Sequence, residues 1–111
     1  MAEGESIEHA GDTFVRGALV FKELTSRRVR LIDRLSGDGV ELAFEGFPYF
    51  ALWSRPGAAF VCLEPWCGVG DAPDAPGRLE DREGIVLLPP GATFTRTLTI
   101  RPLRIRQTVQ L

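Results

Sequence analysis

Histidine is nearly absent from this 111-residue chain: His9 is the only one, and with just two cysteines a zinc site would lack ligands. No metal is therefore expected. Long apolar runs are also missing. Nothing approaches the roughly eighteen consecutive apolar residues of a membrane span, and the start, Met1-Ala2-Glu3-Gly4-Glu5, is acidic where a signal peptide would be basic. These absences predict a cytoplasmic protein with no membrane partner. Net charge is small, -2, and Lys22 is the only lysine beside twelve arginines, which argues for GC-rich coding more than for arginine chemistry. The basic block Arg27-Arg28-Val29-Arg30 has no glycine-rich loop or aromatic stacking surface beside it, so it reads as the solvated face of a strand and no nucleic-acid partner is expected. Catalytic signatures are missing too. No serine sits in a GxSxG elbow, and Gly68-Val69-Gly70 is followed by Pro73 and by no helical pattern, which excludes a dinucleotide loop.

What the chain does have is period-two alternation. Val40, Leu42 and Phe44 oppose Glu41, Ala43 and Glu45; Phe94, Leu98 and Ile100 oppose Thr93, Thr95, Thr97 and Thr99; Leu103, Ile105, Val109 and Leu111 oppose Arg104, Arg106 and Gln110. Further strands are predicted at 18–21, 28–33, 49–54, 59–63 and 85–88. Turns are signalled by Ser36-Gly37-Asp38-Gly39, Arg55-Pro56-Gly57 and Pro89-Pro90-Gly91. No window shows helical spacing of apolar residues. The prediction is an all-β fold, a β-sandwich domain over residues 13–111, preceded by a disordered acidic lead-in at 1–12 that carries Glu3, Glu5, Glu8 and Asp12. Residues 68–84, rich in Gly, Pro, Asp and Glu, read as a loop that could line a site. Cys62 and Cys67 are five residues apart, compatible with a small disulfide loop but more ordinary as two reduced thiols.

The segment Phe60-Val61-Cys62-Leu63-Glu64-Pro65-Trp66-Cys67-Gly68 places a carboxylate at the end of an apolar run. Burying a carboxylate costs several kcal/mol unless it is paired, hydrogen-bonded or used in chemistry. The plain explanation is that Pro65 breaks the ladder and water solvates Glu64 at the mouth of the strand. The neighbourhood favours a second explanation. An indole beside an acid suits a sugar, whose apolar face stacks on the ring while its hydroxyls bond to the carboxylate. Trp53, Trp66, Tyr49 and Asp71 are the candidate companions of Glu64; the plainer roles are a core aromatic for Trp53 and Tyr49 and a solvated turn residue for Asp71.

The succession Ala18-Leu19-Val20-Phe21, then Phe47-Pro48-Tyr49-Phe50-Ala51-Leu52-Trp53-Ser54, Pro56-Gly57, Phe60-Val61-Cys62-Leu63-Glu64-Pro65-Trp66 and Glu83-Gly84-Ile85 to Pro90-Gly91 resembles the C-terminal part of the aldose 1-epimerase (galactose mutarotase) family, over roughly residues 11–100. It is most similar to the bacterial aldose-1-epimerase-like branch. The resemblance implies part of a large β-supersandwich acting on hexoses or related sugars without a cofactor. It also implies a role for Glu64: the general base that takes the proton from the anomeric hydroxyl while a histidine protonates the ring oxygen, so that the ring opens and recloses as the other anomer. The chain departs from the family pattern in four ways, one being Cys67 at a position often aromatic in the related branch. The family's domain is more than twice as long, its active-site histidines lie in an N-terminal portion with no counterpart here, and Gly17 stands where many members have a sugar-binding aspartate. The expected reading is a C-terminal piece that is inactive alone and that either self-associates or pairs with an N-terminal segment. The alternatives are a non-catalytic carbohydrate-binding β-domain and a structural fragment.

Overall fold

A computed structural model describes residues 6–7 and 11–104. Most of the acidic lead-in, and the alternating run from Ile105 to Leu111, lie outside the described residues. Within them the chain is all-β: β1 (Leu19–Phe21), β2 (Arg28–Ile32), β3 (Gly39–Ala43), β4 (Tyr49–Trp53), β5 (Cys62–Trp66) and β6 (Thr99–Leu103). A single 3₁₀ turn at Leu79–Asp81 is the helical structure among the described residues.

The strands form two antiparallel three-stranded sheets, ordered β1-β4-β5 and β2-β3-β6. Register explains where the core lies. Phe21 pairs with Phe50 and Leu19 with Leu52, while Leu52 pairs with Leu63, so one face of the first sheet is continuously apolar. In the second sheet Val29 pairs with Leu42. These faces converge on Phe44, Phe50, Leu42 and Leu24, with Phe21, Val29, Phe47, Leu52 and Leu63 packed around them. The Phe44 and Phe50 rings, fully buried, meet at 4.7 Å between centroids with a tilt of 32°. The β3–β4 connection thus carries the aromatic centre of the sandwich-like fold.

The three expected turns form, each closed by a backbone hydrogen bond: Gly37 N–H to the Asp33 carbonyl, Ala58 to Arg55, and Ala92 to Pro89. Three strand expectations change. The strand expected at 59–63 instead begins at Cys62 and runs through Pro65 to Trp66, because β5 is an edge strand and a proline nitrogen facing away from its partner costs no ladder bond. Glu64 is consequently mid-strand and half-buried. It does not sit at a solvated strand mouth. Segments 85–88 and 93–98, expected as strands, are extended but join no sheet among the described residues; β6 begins only at Thr99.

The block Arg27-Arg28-Val29-Arg30 departs from a simple solvated face. Arg28 and Arg30, with Arg101 from β6, surround the carboxylate of Glu41 at 3.7, 2.8 and 3.2 Å, and that carboxylate side chain is only 6% exposed. Arg27 turns inward. Its guanidinium donates to the carbonyls of Phe47 (2.6 Å), Ser26 (3.1 Å) and Leu24, and lies over the Phe44 ring at 5.1 Å.

Candidate functional site

Directly paired residues of antiparallel strands project from the same side of a sheet. In the first sheet Tyr49 pairs with Trp66, Ala51 with Glu64 and Trp53 with Cys62, and Val20 of β1 pairs with Ala51. The face opposite the core therefore carries Tyr49, Trp53, Glu64 and Trp66 together, with Ala51 fully buried between them. Four of the five residues singled out from sequence share one surface, because 49, 53, 64 and 66 all fall in phase in this register.

Glu64 is half-buried at the middle of β5. The indole N–H of Trp66, two residues along on the same face, donates to Oε2 of Glu64 at 3.2 Å. Among the described residues no lysine or arginine is paired with Glu64, in contrast to Glu41 with its three arginines. Trp53 packs edgewise near Phe60, with 6.0 Å between centroids and 55° between planes. Phe60 is exposed and extends the aromatic surface beyond the end of β4; it lay in the quoted motif, but a loop position carries no periodicity by which its role could be read.

Tyr49 is fixed from outside the sheet. Gly84 approaches so closely that a Cβ at that position would stand 2.8 Å from Tyr49 Cε2 and 2.8 Å from the Cys67 carbonyl oxygen; its φ of 76° is likewise one that side-chain-bearing residues rarely adopt. Gly68 and Gly84 are thereby brought together. Residues 68–84 form a closed loop standing at the Tyr49–Trp66 end of the sheet, with its ends packed against one another as in a compact surface loop. Lys22, just past β1, ties the far end through Glu83 at 2.8 Å. Asp71 is engaged within the loop by Arg82 at 3.1 Å, so the structure gives it a bracing partner and does not bring it to Glu64. The two cysteines are free thiols. A separate shallow cleft of about 380 Å³ is lined by Asp12, Thr13, Val15, Arg16, Gly17, Ala18 and Leu19 and does not include Glu64.

No group of three or more metal-ligating side chains occurs among the described residues. Among the described residues no helix is long and apolar enough to cross a membrane. What the arrangement offers is one carboxylate, held on one oxygen by an indole and flanked by a phenol and a second indole: acceptor capacity beside aromatic surface.

The chain is similar to Protein LacX. The plasmid-encoded and chromosomal forms of that protein from Lactococcus lactis subsp. lactis are each 33% identical to it over 88 residues, which is 78% of this chain and 29% of LacX. The chain thus spans less than a third of the length of the curated relatives it matches. No family model matches it, and no solved structure does.

Proposed function

We propose that this chain carries the carboxylate side of a sugar-binding site of the aldose 1-epimerase type, with Glu64 as the group that accepts the proton of an anomeric hydroxyl. The observation that supports this most directly is the shared face of Glu64, Trp66, Tyr49 and Trp53, with Glu64 unpaired by any cation among the described residues. A carboxylate locked by arginine is a poor base; one held by a single neutral donor keeps lone pairs for a ligand. The LacX similarity also supports this reading, because a match over 88 residues of the 111 necessarily overlaps most of the stretch whose motifs resemble the epimerases.

Anomer interconversion also needs an acid at the ring oxygen. Glu64 alone completes half of that chemistry, and the histidine would come from a second polypeptide segment. General acid or base assistance is typically worth ~10²–10⁴-fold per group. Chain 1–111 is therefore proposed to bind hexose but to interconvert anomers little faster than buffer. Titration of D-galactose and D-glucose into ¹⁵N-labelled chain tests the site: saturable shifts at Trp66, Trp53 and Tyr49 are expected, reduced in Glu64→Ala. Absence of saturable shifts with both sugars would remove the proposal. Polarimetry separates the two carbohydrate readings. Turnover lost in Glu64→Gln would show that an acid exists within this chain, whereas binding without turnover agrees with a half-site or a purely binding domain.

A further inference from the structure

The sequence reading gives Trp66 the role of a stacking surface. Its geometry gives it another one. We propose that Trp66 is a positioning residue, whose indole N–H holds Oε2 of Glu64 so that Oε1 is the atom presented to a ligand hydroxyl. This rests on the sugar-site reading above and names which atom of that site does the accepting.

Three observations carry it. First, the 3.2 Å contact joins residues i and i+2 of one strand, whose side chains project from the same face, so the pleat of β5 sets the two groups side by side. Second, the strand end is held. Pro65 between them has a fixed φ, Tyr49 is paired opposite Trp66, and Gly84 packs against both Tyr49 and the carbonyl of Cys67, the next residue along. The backbone that carries Trp66 is therefore held on both sides of it. Third, the remaining oxygen has no partner among the described residues, while Oε2 is taken.

Donor chemistry fixes the polarity. An indole N–H can only donate, so the atom facing it must be an acceptor. In Glu64 both oxygens qualify, and either leaves an acceptor toward the ligand. In Glu64→Gln the amide has to turn its oxygen to Trp66, which leaves the NH₂ group facing the ligand. The isosteric change thus replaces an acceptor by a donor where a hydroxyl proton should be received. Trp66 enforces that outcome, and without its N–H the amide is free to flip.

The test replaces Trp66 site-specifically with β-(3-benzothienyl)alanine, which keeps the bicyclic ring and removes only the N–H. D-galactose is the probe. Loss of one hydrogen bond of ordinary strength predicts roughly fivefold to tenfold weaker binding. The further loss caused by Glu64→Gln should shrink severalfold in this background compared with the native indole. Equal galactose affinity for the native and benzothienyl chains, with binding lost in Trp66→Leu, would show that Trp66 only stacks and would overturn the proposal. A second readout needs no sugar. The Trp66 indole ¹⁵N–¹H signal, identified by its disappearance in the benzothienyl chain, should move in Glu64→Ala while that of Trp53 moves less. A stationary Trp66 signal overturns the positioning role. Its movement in a chain that binds no galactose would uphold the Trp66–Glu64 bond and count against the sugar-site reading alone.

Discussion

Two strand glutamates stand in opposite surroundings, Glu41 among arginines and Glu64 beside an indole. Glu41 is central in its sheet, with Arg30 and Arg101 paired across from it on the flanking strands and Arg28 beside them. The hydrogen bond from Arg30, then the charge of Arg101, holds its carboxyl below the usual carboxylate range, against the opposing effect of burial. A folded-state value below the unfolded one means that the stabilisation is complete above the unfolded value, near 4.5, and disappears as pH falls through the folded one. Urea midpoints measured from pH 7 down to pH 3 should show a loss below about pH 4.5 that Glu41→Gln abolishes, the variant being less stable at pH 7. A parallel acid loss in the variant would assign it to other carboxylates. Arg27 makes the complementary case. Its fork reaches three carbonyls and the Phe44 ring, geometry that lysine cannot reproduce, so Arg27→Lys should cost about 2 kcal/mol in chemical denaturation. Alternation in the sequence shows that Arg28 and Arg30 share a face and Val29 opposes them. That Glu41 is the acid between them is a matter of register, which alternation alone does not specify.

At the scale of elements, the strands legible from sequence are those whose alternation coincides with a partner in this chain: β1, β2 and β4 match within a residue, and β3 within two. β5 was displaced because Pro65 reads as a terminator, and only knowledge that the strand is at an edge removes that objection. This matters for the site, since extending β5 to Trp66 is what brings Glu64 and Trp66 into phase with Tyr49. The loop at 68–84 was legible as a loop; its closure onto Tyr49 was not, because Gly84 looks like any turn glycine until Tyr49 stands against it. Gly84→Ala should therefore be worse than a turn substitution, with positive φ and two contacts at 2.8 Å adding to ~1–3 kcal/mol. Thermal unfolding measures the cost, and proteolysis within 68–84 should accelerate in parallel. Lys22→Ala is the control: its pair with Glu83 is half exposed and should leave the melting temperature nearly unchanged. Equal effects of the two substitutions would place the closure in the ion pair instead of the glycine.

Across the described residues, more large apolar side chains are exposed than are buried in the core. The Cα radius of gyration is 17.5 Å, against roughly 13 Å for a compact chain of 100 residues. Leu87, Val86 and Leu88 are exposed in an extended segment that joins no sheet, and so are Phe94, Leu98 and Ile100 beyond it. Sequence alternation puts Phe94, Leu98 and Ile100 on one face of a half-buried strand, whereas the structure leaves all three exposed. Extended segments with unpaired backbone groups and apolar side chains pair with other chains. The chain at micromolar concentration should therefore sediment as concentration-dependent oligomers, and charge placed on the exposed segment, as in Leu87→Lys with Leu98→Lys, should shift it toward monomer without lowering its melting temperature. Arg96 ties this segment to the β3–β4 turn through the Gly46 carbonyl at 2.8 Å, so the exposed face is anchored to the rest of the fold at that point. A single monomeric boundary with one cooperative thermal transition would mean that the exposed face is tolerated in water, and would favour an autonomous sugar-binding domain over a half-site awaiting its acid.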